Sequence, residues 1–132
     1  AFDYGDVRIG VAVCDPDGIL ATPLEFLATK DPSLKSSILA LCEEYEPTKI
    51  YVGLPLNLSG EESESTKKAL AFTDLLTRLV SCPVKLIDER LTTSSASASL
   101  SQAGLSAKDA RKKIDSQSAV IILESGLAQD RE

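Results

Sequence analysis

Two periodicities divide this chain. Near its start, apolar and polar or small residues alternate, as in VRIGVAVCD (residues 7–15), and the DPDG that follows is a strong turn signal. ILATPLEFLA resumes the extended pattern, with Pro23 marking an edge strand or a bulge. With the short FDYG stretch before them, these segments predict three strands joined by tight turns, an antiparallel meander. Then the period lengthens. Leu34, Ile38, Leu41 and Tyr45 recur at helical spacing, with Asp31 as cap, Pro32 in the first turn and Pro47 as stop. KIYVGLP reads as a short buried strand. NLSGEESESTKK starts as a loop and leads into a helix whose apolar side carries Leu70, Phe72, Leu75, Leu76 and Leu79. PVKLIDER is a fifth strand, and the Ser/Ala-rich LTTSSASASLSQAG predicts a weak helix ending at Gly104. LSAKDARKKIDSQSAVIILESGL closes the pattern as a capped helix or helix pair. The order βββαβαβαα, without repeat or linker, predicts one α/β domain over residues 1–132.

Composition narrows the chemistry more than the fold. Apolar residues make up 43% of the 132 and charged residues 26%, as in a globular domain, and no apolar run is long enough to span a bilayer. Residues 1–2 read as the tail of a strand that begins earlier, and no secretory signal pattern is visible. The three cysteines, Cys14, Cys42 and Cys82, have neither pairing nor zinc spacing and fit buried thiols in a reducing cytoplasm. There is no histidine, which excludes Ser-His-Asp and Cys-His catalysis and histidine metal sites. Chemistry here has to run on carboxylates, hydroxyls, basic side chains or a bound metal. The net charge of −6 argues against a broad nucleic-acid footprint, though not against a local basic site or carboxylates screened by divalent cations.

Three acidic positions break the simple pattern. Asp3 lies in the first strand with Gly5 two positions on; Asp88 and Glu89 end the fifth strand; Asp115 precedes the apolar SAVIIL and shares a helix face with Ala119 and Ile122. If Asp3, Glu89 and Asp115 converge, their repulsion calls for a cation, and Mg²⁺ or Mn²⁺ suits an all-oxygen donor set that leaves positions open for phosphate. Each acid also has an ordinary structural explanation: a turn aspartate, a strand-end salt bridge, a helix N-terminal acid. The basic counterpart is Arg8, Arg90 and the KDARKK cluster with Arg111, Lys112 and Lys113, which is either a solvated helix face or a set of phosphate contacts. GLPLNLSG lacks the lysine and spacing of a phosphate-binding P-loop, and its Gly53 and Pro55 shape a strand exit or a loop gripping a nucleic-acid strand.

FDYGDVRIGVAVCD, VGLPLNLSG, LIDERLTT and RKKIDSQSAVIIL occur in that order, and together they closely resemble the YqgF family, described as Holliday junction resolvases and pre-16S rRNA nucleases with an RNase H-like fold. The resemblance implies a five-stranded mixed sheet, three antiparallel strands then two parallel ones, flanked by helices. It places the acidic site on Asp3, Glu89 and Asp115, with Asp88 as a supporting or replacement ligand. The arginine of the family's RIG motif is Arg8 and the basic residues before its helix aspartate are Arg111, Lys112 and Lys113; Arg90 joins them from the residue pattern as a candidate phosphate contact. Relatives of the fold with resolvase activity carry an acid near the fourth strand. Gly53 and Leu54 stand there in this chain, so the acidic set has to be completed from DER. The implied function is a cytoplasmic, Mg²⁺- or Mn²⁺-dependent nuclease of structured nucleic acid, precursor 16S rRNA before DNA junctions, working as a monomer or homodimer. A junction resolvase, or a non-catalytic binding module in transcription or ribosome assembly, are the alternatives.

Overall fold

The computed structural model describes residues 1–15, 17, 20–56, 59–91 and 116–130. The weak helix expected to end at Gly104 and the first part of the last helical segment lie outside them.

Within these residues the expected mixed sheet is present. Strands β1 (Phe2–Asp3), β2 (Arg8–Cys14) and β3 (Ala21–Ala28) form the meander. Helix α1 (Leu34–Tyr45), β4 (Ile50–Leu54), α2 (Glu64–Leu79) and β5 (Val84–Asp88) alternate after it, and α3 (Gln117–Asp130) closes the described chain. The strand order is β3-β2-β1-β4-β5. β1 pairs antiparallel with β2 and parallel with β4, which is parallel to β5. Pro23 sits on the edge strand, where its missing N–H leaves no central ladder broken, and the register of β2 on β3 shifts between Ile9 and Val11.

Alternation along the strands assigns each side chain a layer. Phe2, Ile9, Val11, Ile50 and Val52 face α1 and α2, where Ile38, Phe72 and Leu76 complete one core. Ala12, Tyr51 and Ile87 face α3 and pack on Ala119, Val120, Ile122 and Leu123. Phe72 takes Phe2 edge-on at 5.7 Å between ring centroids and Tyr4 at 5.1 Å. Asp3, between those two aromatics in sequence, is thereby turned to the α3 face.

The helix ends differ in detail from expectation. α1 starts after Ser33, two residues past the predicted cap, because Asp31 Oδ1 accepts the Ser33 N–H at 2.8 Å and closes a turn ahead of the helix. Its end is as expected: Glu46 is left-handed (φ 47°), donates its N–H to Cys42 O, and Pro47 follows. On α2 the buried stripe is Thr66, Ala69, Phe72 and Leu76, so Ala69 rather than Leu70 faces the core. Thr66 forms a capping box with Ser63 and donates its hydroxyl to Pro55 O, which ties the β4–α2 loop to the helix that follows. At the far end of α3, Gly126 lies against the Tyr51 ring, whose hydroxyl donates to Asp130. Lys49 and Lys85 also reach that carboxylate, at 2.9 and 3.0 Å, and together the three donors hold it below the usual carboxylate range.

Candidate active site

In open α/β sheets the carboxyl ends of parallel strands form the usual ligand crevice. β1, β4 and β5 end on one edge of this sheet, and two of the three sites left by their last residues carry acids. Asp3 ends β1. Glu89 follows β5 directly, at the start of a 3₁₀ turn (Glu89–Leu91).

β1 and β5 are not neighbours. β4 lies between them, so the two acids stand two strand spacings apart, roughly 9–10 Å. They meet because of what β4 lacks. Phe2 pairs with Val52, so one step further Asp3 is level with Gly53; Gly53 in turn pairs with Ile87. A Cβ built on Gly53 would lie 2.5 Å from Glu89 Oε1 and 3.2 Å from its Cδ. The Glu89 side chain therefore crosses β4 over the bare glycine backbone and hydrogen-bonds Asp3. On the other side Asp3 pairs with Gly10. Asp3 thus has a glycine level with it in each adjoining strand, and the Glu89 side chain takes the space above Gly53.

The electrostatics follow from this geometry. Burial raises the pKa of Asp3, against the lowering effect of hydrogen bonds from Glu89 and Ser118. Burial pushes Glu89 up to about 7, helped by the charge and hydrogen bond of Asp3 and the charge of Asp88. Two carboxyls this close do not both ionise readily, so each is driven toward its protonated form. All donors are oxygens and the site is half-buried, a chemistry that suits Mg²⁺ or Mn²⁺ in place of the proton. Among the described residues no group of three acids or cysteines forms a metal-holding set. Asp115 is outside the described residues, one position in sequence before Ser116.

Asp88 is occupied elsewhere. Its carboxylate takes Arg90 Nε at 3.1 Å from both oxygens, Nη2 at 2.7 Å and the Arg90 backbone N–H at 2.9 Å, which keeps its pKa below normal. Arg90 in turn lies beneath Gly60 in the β4–α2 loop: a Cβ there would come 3.3 Å from Nη1, and the backbone is left-handed (φ 88°). Arg8 opens β2 at the same edge as Asp3. By strand alternation it shares Asp3's face, and its guanidinium stands 5.1 Å from the centre of the Phe26 ring. Arg111, Lys112 and Lys113 are outside the described residues.

Gly5 serves the turn after Asp3. A Cβ at Gly5 would come within 2.6 Å of the Arg8 carbonyl, and Thr29 Oγ1 donates to Gly5 O at 2.7 Å. Sequence reasoning passed over the clearance at Gly53 and the two serines at the start of α3. The only signal for the latter was a hydroxyl pair, Ser116 and Ser118, set against an apolar helix start.

Comparison with known proteins agrees with the motifs. The family model described as RuvX: Holliday junction resolvase matches residues 1–129. A protein of Streptomyces avermitilis is 47% identical over 133 residues, covering 99% of this chain and 85% of its own length. One from Mycobacterium ulcerans is 47% identical over 131 residues (98% and 77%), and one from Rhodococcus erythropolis 44% over 134 residues (96% and 75%). All three carry the name "Putative pre-16S rRNA nuclease". With a match over nearly its whole length, four ordered motifs and an acidic pair at the strand ends, this chain belongs to the RuvX (YqgF) Holliday junction resolvase family.

Proposed function

We propose that this protein is a metal-dependent nuclease of the cytoplasm that hydrolyses phosphodiester bonds in structured RNA, with precursor 16S rRNA as its substrate. The observation that carries this reading is the pairing of Asp3 and Glu89, built across Gly53 at the carboxyl ends of the strands. The relatives' printed names supply the RNA.

In this reading Asp3, Glu89 and Asp115 hold Mg²⁺ or Mn²⁺. Support for the third acid is that its chain neighbour Ser116 is buried against β2 and β3, on the α3 side of the sheet. The bound ion supplies Lewis-acid polarisation of the phosphoryl oxygen and a more acidic water. With both carboxyls ionised by the bound cation, Asp3 and Glu89 would orient the attacking water by accepting its hydrogen bonds. Attack at phosphorus would form the new P–O bond as the water's proton passes to a carboxylate of the pair, and would break the bond to the leaving sugar oxygen, which takes a proton from solvent. Arg8, Arg90, Arg111, Lys112 and Lys113 engage the backbone phosphates, with Arg90 held in place by Asp88 rather than by the acidic pair. A chain of net charge −6 gains little from general attraction to RNA, so these local contacts carry the binding.

The test is cleavage of precursor 16S rRNA fragments and four-way DNA junctions by purified protein with Mg²⁺, Mn²⁺ or chelator, with Asp3→Asn as control. RNA cleavage that needs the ion and disappears in Asp3→Asn is expected. Cleavage confined to junctions, by a homodimer with its two active sites, would transfer the activity to DNA recombination. Retained RNA binding with no cleavage and no bound ion would leave a non-catalytic module.

A further inference from the structure

Leu24 and Leu27 both pack into the core under α1 and α2, although residues three apart in a regular strand face opposite sides. The register explains it. Two steps along β2, from Ile9 to Val11, are matched by three along β3, from Leu27 to Leu24, so β3 carries a bulge opposite Gly10. The two residues inside the bulge, Glu25 and Phe26, therefore both turn to the other face, which is the face of α3 and Asp3. The bulge is held in place beside its end: the buried Ser116 hydroxyl accepts the Val11 N–H at 3.0 Å and donates to Leu24 O at 2.5 Å. Gly10, opposite the bulge, is the cross-strand partner of Asp3. Asp3, Gly10 and Phe26 thus form one row across β1, β2 and β3. The aromatic stands two strand spacings from the acid, roughly 9–10 Å, with only a glycine between them in the sheet.

Packing does not account for this ring. Phe2 and Phe72 meet edge-on in the α1/α2 core, whereas Phe26 belongs to neither core of the described residues. It is half-buried, and the Arg8 guanidinium stands 5.1 Å from its ring centre. An aromatic face beside a cation suits an unpaired nucleotide: the ring stacks on the base while the guanidinium meets the backbone. A base inside a continuous duplex offers such a ring no open face. In a chain of net charge −6, stacking also supplies affinity that general electrostatics does not. We propose that Phe26, with Arg8 beside it, is a stacking platform for an unpaired RNA base adjoining the phosphate at Asp3 and Glu89, so that the site takes single-stranded or bulged segments rather than continuous duplex. The placing of that phosphate rests on the nuclease reading above; the base recognition itself does not.

The experiment measures binding by fluorescence anisotropy, with Ca²⁺ in place of Mg²⁺, for the unsubstituted protein, Phe26→Ala, Phe26→Leu and Phe26→Trp. The ligands are a short oligouridylate, the same ribose-phosphate strand without bases, and a blunt RNA duplex; thermal unfolding is read alongside. The unsubstituted protein is expected to prefer the oligouridylate to the base-free strand by about tenfold, the worth of one base–aromatic stack. Phe26→Ala and Phe26→Leu should abolish that preference and leave the base-free strand and the duplex bound as before, while Phe26→Trp keeps it. Leucine retains the apolar burial without the π-face, so it decides the matter if Phe26→Ala does not fold. Absence of the preference in the unsubstituted protein, its survival in Phe26→Leu, or an equal loss of all three ligands overturns the proposal. An intact preference with no Mg²⁺-dependent cleavage would count against the nuclease reading alone.

Discussion

Gly53→Ala is the sharpest probe of how the acidic pair is assembled. The added methyl would lie 2.5 Å from Glu89 Oε1 and 2.5 Å from Ile122 Cδ1, about 1 Å inside ordinary van der Waals contact with each. Ile122 is 1% exposed and enclosed by the α3 core, whereas Glu89 is half-buried at the rim, so Glu89 gives way first. Overpacking of this kind costs about 1–3 kcal/mol, and replacing a strand glycine by alanine returns roughly 0.5–1 kcal/mol. The net loss is at most about 2.5 kcal/mol, or a Tm lower by up to roughly 10 °C for a domain of this size. Function suffers more, because a 1 Å misplacement of a catalytic group costs on the order of 100-fold. Thermal unfolding and Mg²⁺-dependent RNA cleavage read the two effects separately. Ile122→Val removes Cδ1, so Gly53→Ala/Ile122→Val should regain much of the stability while cleavage stays low. A Gly53→Ala protein with full cleavage would refute the claim that Glu89 crosses β4 at this glycine.

The remaining predictions concern charge and packing. Both acids have raised pKa values when folded, so the native state binds protons more tightly than the unfolded chain. The resulting stability is complete below about pH 4.5 and is lost as pH rises through about 7. Metal-free protein should lose roughly 1–2 kcal/mol between pH 5 and 8, after allowance for the solvent screening of a half-exposed carboxyl. Glu89→Gln should flatten that profile, and an unchanged slope in thermal melts would show that another group is responsible. Mn²⁺ affinity should rise over the same range, since protonation of the pair competes with the ion, and calorimetry in buffers of different ionisation enthalpy would count the protons released. Gly126→Ala would place a methyl 2.5–2.7 Å from atoms of the Tyr51 ring. A stability loss of about 1–3 kcal/mol in denaturant melts is expected, with Mn²⁺ affinity intact because the contact lies at the far end of β4 from the acids. Loss of affinity without loss of stability would contradict that separation.

Much of this protein was written locally. Strand and helix periods, the meander before the alternating segments and the stop at Pro47 depend on neighbours a few residues apart, and the chain declares them. So were the unusual acids, because a carboxylate inside an apolar strand is conspicuous in one dimension. The DER motif was different: Asp88 and Glu89 are equivalent on paper. Only the folded chain separates them, by giving Asp88 to Arg90 and sending Glu89 across the sheet. That crossing depends on β4 lying between β1 and β5 and on a register that sets Gly53 level with Asp3, relations between segments about 35–50 residues apart that pairwise packing decides. The same holds for Ser116, whose hydroxyl completes a ladder 92 residues away in sequence at Leu24. The sequence by itself determined which elements form and which residues have chemistry to offer. The tertiary structure decided which of them meet, because strand order and register are fixed by burial across the whole sheet rather than by any one stretch of it.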